Sequence, residues 1–225
     1  MFLSACFSTA MHFYVAYVAV RCFFGLSSDC RRECSIANGP LPPMLVVYIF
    51  DMVAALVGFS PFPPNWTLQD IALHHVVGIV FVALQLFYLS AVLGPSVNTP
   101  SAGCAFSNYL LCSFFFTVTC ANEGANAALN VLGIIGPSAA SLMRPARLTQ
   151  SVICLVVLSI AGVGSPLTGF LTLTEFGPRT PLLPRVVQGA VATTGALFSV
   201  IFYPGWMMAH VKRLRRCDKQ RVDMY

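Results

Sequence analysis

The sequence predicts an all-α integral membrane bundle of about six transmembrane helices, and three observations carry that expectation. Of 225 residues, 57% are hydrophobic and only 9% are charged, with a mean hydropathy of +0.77; soluble chains carry about 25% charged residues. The apolar residues fall into runs that approach or exceed the roughly 20 residues a helix needs to cross a bilayer. Between the runs lie short segments rich in Pro, Gly, Ser and Asn, the composition of turns.

In chain order the expected spans are 2–24, 44–60, 70–93, 104–123, 148–173 and 186–209. The first opens MFLSACFSTAMHFYVAYVAV with no basic residue ahead of the apolar stretch, so it reads as a span and not as a cleaved signal peptide. The second carries Asp51, on a face expected to include Tyr48, Ala55 and Gly58. The third begins with Thr67-x-x-Asp70, a capping box that starts the helix at Leu68. After the fourth comes GANAALNVLGIIG, residues 124–136, apolar but rich in Gly, Ala and Asn. It is either the end of a long tilted helix or a broken, re-entrant segment held inside protein. PSAASLMRPAR is expected to form the loop ahead of the fifth span. The two expected parts are a transmembrane domain over 1–209 and a short basic cytosolic tail over 210–225.

The formal charge of +5 does not point to nucleic acid, because six of the thirteen basic residues lie in the last fourteen positions, KRLRRCDKQRVDMY. That distribution is a membrane flank. With an even number of crossings, Arg144, Arg147 and the tail fall on one side, and the positive-inside rule makes both termini cytosolic. Six of the nine cysteines sit within apolar runs, where Cys behaves as a small hydrophobe; only Cys30 and Cys34 are placed to pair. Asn65-Trp66-Thr67 is a formal glycosylation sequon that this topology leaves cytosolic and unused.

The chemistry is expected where ionisable residues enter the apolar runs, since a charge at the bilayer centre costs at least about 2.5 kcal/mol. His74 and His75 lie about two turns into the third helix. The stripe His74, Gly78, Phe81 and Gln85 is small and polar enough to face protein or water, whereas His75, Ile79, Val82 and Leu86 are more apolar, so His74 is the expected inward residue. Glu123 lies roughly 28 Å along the fourth span from Cys104, in the leaflet of the histidines. His12 and Asp51 lie nearer the midplane. His74, His75 and Glu123 are the catalytic candidates; His12, Asp51, Gln85, Asn126 and Asn130 are the expected polar lining of a shared cavity. Asn122, Asn126 and Asn130 recur at i, i+4 along one helix side. Scattered interhelical hydrogen bonds are the plain alternative. No metal site is expected.

These residues together resemble the TLC-domain family, to which the ceramide synthases belong. Thr9-Ala10-Met11-His12 resembles the family's first-span S-x-x-H, Asp51 sits where its second-span aspartate is found, and Leu73-His74-His75 resembles its diagnostic pair. Glu123 followed by Asn130 is similar to the E-x-S-T-P-x-x-N motif of the branch outside the ceramide synthases, with Ala-Asn-Ala replacing S-T-P. FYPGWMMAHVKRLRR, from Phe202 to Arg216, resembles the aromatic-then-basic end of the domain. Where ceramide synthases carry H-D-x-S-D, this chain reads Asn122-Glu123-Gly124-Ala125-Asn126. The resemblance implies a barrel-like six-helix bundle around a cavity that admits acyl chains.

The expected function is lipid binding or handling that influences membrane lipid composition, with membrane lipids or acyl chains as partners and no cofactor. The expected location is an endomembrane such as the endoplasmic reticulum. One alternative is a ceramide-synthase-like N-acyltransferase, with acyl-CoA as co-substrate, His74 or His75 as base and Glu123 orienting it. A second is a zinc-dependent intramembrane hydrolase using Ser8-x-x-x-His12, although neighbouring helical histidines diverge by about 100° and make a poor pair of ligands for one metal.

Overall fold

A computed structural model describes residues 1–25, 39–59, 68–88, 117–175 and 182–222. Cys30, Cys34, the sequon, Thr67 and most of the fourth expected span lie outside the described residues, and the side chains of residues 68–74, His74 among them, are likewise not described. All regular structure among the described residues is helical: α1 (Phe2–Gly25), α2 (Leu41–Leu56), α3 (Leu68–Tyr88), α4 (Cys120–Ile135), a 3-10 turn (Gly136–Ala139), α5 (Ala140–Glu175), α6 (Leu182–Leu197), a π turn (Phe198–Phe202) and α7 (Tyr203–Val222).

Two segments, Phe2–Arg21 and Cys120–Gly164, are long and apolar enough to cross a membrane, with mean hydropathies of 1.4 and 1.8. The second is folded in the middle. Gly136 takes φ +74 and ψ −138, a backbone state that side chains other than glycine's do not tolerate, and Pro137 follows it. The chain reverses there, so α4 and α5 pack against each other and Gln150 reaches back to Asn122 and Asn126. Residues 124–135 are therefore the continuous body and C-terminal end of a helix, and the chain breaks at Gly136. PSAASLMRPAR is not a loop: its first residues close the turn and SLMRPAR already belongs to α5. α5 carries Pro145 in its second turn and Pro166 well inside it, and each forfeits the backbone bond to the carbonyl four residues back.

Helix α1 packs on α2 and α4, α2 on α3, α4 on α5, and α5 on α6 and α7. Ser4 Oγ donates to the Phe59 carbonyl at 2.8 Å, and Ser8 meets Asp51, so α1 and α2 run antiparallel. One apolar core joins Val15, Leu41, Met44, Val47, Tyr48, Phe81, Val82 and Cys120; a second joins Cys154, Leu158, Ala161 and Tyr203. The outer surface is apolar too. Along α5, Val152, Val156, Ile160, Val163 and Leu167 form an exposed stripe at helical spacing, between 47% and 70% accessible, whereas Ser8, His12, Asp51, His75, Gln85, Gln150 and Ser151 are buried. An apolar exterior around a polar interior suits a bilayer as surroundings.

Candidate functional site

Four helices bring their polar side chains to one point. His12 projects from the middle of α1, is fully buried, and places Nε2 2.9 Å from Glu123 Oε2 and 3.5 Å from Asp51 Oδ2. Tyr48, one turn before Asp51 on α2, donates its hydroxyl to Glu123 Oε1 at 3.0 Å. His75 of α3 places Nε2 3.7 Å from Asp51 Oδ2, within ion-pair range and beyond hydrogen-bond length, and its ring lies edge-on to Tyr48 at 5.2 Å between centroids. Ser8, one turn before His12, donates Oγ–H to Asp51 Oδ2 at 3.2 Å.

Local sequence sets this assembly. Ser8 and His12 share a face of α1 at i, i+4, and Tyr48 and Asp51 share one of α2 at i, i+3. Gly124 lets α4 approach α1: a Cβ there would stand 3.2 Å from His12 Cβ. Gly78 does the same for α3, since any side chain at that position would run into the Tyr48 ring.

The hydrogen bonds fix how the protons are counted. His12 Nδ1 lies 2.8 Å from the Ser8 carbonyl, which only accepts, so Nδ1 carries a hydrogen. Nε2 then faces two carboxylates. A lone pair aimed at carboxylate oxygens would repel them, so the 2.9 Å contact requires one further proton, held by the imidazole or by Glu123. The site is thus an acid–base pair, His12 with Glu123, flanked by a second, His75 with Asp51. Asp51 Oδ1 is buried and has no hydrogen-bond partner among the described residues, which leaves acceptor capacity facing the interior. Chemically, such an arrangement can take up, hold or pass on a proton away from water.

Several expectations change here. The described inward histidine of α3 is His75, fully buried, not a residue of the outward stripe. The buried face of α3 runs His75, Gly78, Val82, Gln85 with Phe81 beside it, combining the two stripes read from sequence. Glu123 pairs with His12 and Tyr48, and the residue beside His75 is Asp51. His12, Asp51, His75 and Glu123 therefore meet at one level, not at two depths. On α2 the buried face is Met44, Val47, Tyr48, Asp51 and Ala54; Gly58 is exposed beyond the helix end.

Three lining candidates lie elsewhere. Asn126 accepts Gln150 Nε2 at 2.8 Å, on the side of α4 that faces α5. Gln85 is buried three turns along α3 from His75, about 15 Å away along the axis. Asn130 is half-buried nearly two turns beyond Glu123. A second polar group joins Asn122 and Asn126 to residues the sequence reading did not single out: Gln150 accepts from Arg213 at 2.7 Å, donates to Asn126, and reaches Asn122 Oδ1 at 3.4 Å, while His210 Nδ1 lies 3.2 Å from Ser151 Oγ. The available signal was the adjacent Gln150-Ser151 pair opening an apolar run opposite a His-x-x-Arg in the tail.

Among the described residues no group of three or more His, Cys, Asp or Glu is arranged to hold a metal ion. The described residues define a class: packed helices, with two segments long and apolar enough to cross a membrane, around a buried histidine–carboxylate centre. Comparison with family models, curated proteins and solved structures gives no match.

Proposed function

We propose that this chain is a six-span membrane protein of TLC-domain type that binds a lipid or acyl chain within its bundle and influences membrane lipid composition. The observation that carries the reading is His12 Nε2 held between Glu123 Oε2 and Asp51 Oδ2 inside an apolar bundle. Buried carboxylates and imidazoles are costly among membrane helices and are kept where they serve a ligand or a proton. The His12–Asp51 and His12–Glu123 contacts join the residues that carry the TLC resemblance in α1, α2 and α4. Unbiased mass spectrometry of what co-purifies in mild detergent tests it. A retained lipid or acyl chain, displaced in a His12→Asn/Glu123→Gln variant, is the expected result; protein that retains no more lipid than its detergent shell ends the reading.

A second reading, N-acyl transfer, is favoured by His75 beside Asp51. In that reaction an imidazole takes a proton from an attacking amine, a C–N bond forms at the acyl-CoA carbonyl, the C–S bond breaks, and the thiolate leaves with a proton. Purified protein given acyl-CoA and a long-chain base should then form amide above a His75→Ala control. Equal amide in the two removes the enzyme reading and leaves lipid binding standing.

A further inference from the structure

Helices α5 and α7 run antiparallel: Gln150 meets Arg213, Ser151 meets His210, and Gly162 lies against Tyr203. This pairing sets Arg147 one turn beyond Gln150, and Arg144 one further turn out, at the same end as Lys212, Arg213 and Arg215. All five are exposed. Arg144, Arg147 and Ser151 follow i, i+3, i+7, so the two arginines continue the stripe whose inner member, Ser151, is buried against His210 on α7. No acidic residue lies on the described part of α5 before Glu175.

Arg213 is anchored. Its Nη1 donates to Oε1 of Gln150, which is 1% exposed and held in turn by Asn126 and Asn122. One edge of the guanidinium is thereby fixed on neutral amides while its positive charge meets no described carboxylate. A planar fork held this way suits a phosphate, which it can grip through parallel N–H donors.

We propose that this end of the α5/α7 pair, with Arg213 anchored on Gln150 and Arg144 and Arg147 on the turns beyond it, binds the headgroup of an anionic phospholipid in the adjoining leaflet. The charge excess is at the terminus of an apolar helix pair, where a lipid phosphate would lie. This inference rests on the membrane-spanning reading above, and it concerns a face separate from the histidine–carboxylate centre.

The test is native mass spectrometry of the full chain released from nanodiscs containing equal phosphatidylcholine and phosphatidylserine. The wild type should retain phosphatidylserine in preference, and the preference should fall about five-fold for each arginine removed in Arg144→Gln, Arg147→Gln and Arg213→Gln. Arg185→Gln, a basic residue exposed on α6, should leave it unchanged. Should a glutamine variant fail to fold, the wild type still decides: rising salt must erode the preference. Equal retention of the two lipids, an equal loss with Arg185→Gln, or occupancy by inorganic phosphate in place of lipid each overturns the proposal. Alkaline extraction separates the two readings. Protein released into the soluble fraction defeats the membrane reading, whereas protein that stays in the membrane without lipid preference defeats only this one.

Discussion

At the residue scale the centre depends on mutual satisfaction. Glu123 accepts from Tyr48 and shares a proton with His12, so Glu123→Ala leaves a buried hydroxyl and imidazole without their partner and is expected to cost about 3 kcal/mol. Glu123→Gln keeps an acceptor for Tyr48 and should cost less. Thermal unfolding in detergent reads both, and an unchanged midpoint for the alanine variant would show that the contact holds nothing together. His210 supplies a pH dependence. It sits just past the last expected span, and burial, reinforced by the Arg213 charge, pushes its pKa down to about 4. The folded chain therefore disfavours the proton. The contribution is fully present above the ordinary value near 6.5, and it is lost as pH falls through that value toward about 4. Midpoints measured between pH 7 and pH 5 should fall more in the wild type than in His210→Asn; parallel slopes would refute this. Individual polar residues were legible because an ionisable side chain in an apolar run needs a partner, and His12, Asp51 and Glu123 each have one. Which partner was not legible: Glu123 with His12 spans 111 positions, and no local pattern reports such a contact.

At the element scale, faces decide. A step of four residues drifts about 40° on a helix, so following i, i+4 alone split the buried face of α3 into two false stripes; the alternation 3, 4, 3 from His75 to Gln85 holds it together. Glycine positions test the packing that results. Gly78→Ala sets a methyl against the Tyr48 ring and should destabilise by about 1–3 kcal/mol while loosening Tyr48 from Glu123. Gly133→Ala, on α4 with open space around it, should be stabilising by about 0.5–1 kcal/mol, since glycine is a poor helix former. Comparable midpoints for the two variants would mean that α3 does not press on α2 as described. Gly136 ends a segment that the sequence left open between a helix end and a re-entrant piece, because its Gly and Asn residues are poor helix formers. Packing of that small-residue helix against α1 and α5 outweighs the deficit.

At the scale of the whole molecule, the all-helical class was legible from composition and run length, which need no knowledge of contacts. The place of the reversal between α4 and α5 was legible too, since a loop was expected directly after Gly136; its length was not, because Ala140 already begins α5 and only Gly136–Ala139 forms the turn. The apolar exterior makes a direct prediction: the expressed chain should stay with membranes through carbonate extraction at high pH and leave them only with detergent, and release by carbonate alone would contradict it. One feature at this scale bears on how the chain tolerates changes in length. The π turn Phe198–Phe202 interrupts a continuous helical stretch from Leu182 to Val222, and a π turn holds one residue more than the α-helix needs over the same rise. The protein carries a spare residue there. Val200, 75% exposed, could be deleted and the segment would close to ordinary α-helix, leaving His210 opposite Ser151 and Arg213 opposite Gln150. Losing one residue between Tyr203 and His210 instead would swing the basic tail by about 100° and unseat both contacts, so shortening by a single residue is benign or damaging according to which side of Tyr203 it falls.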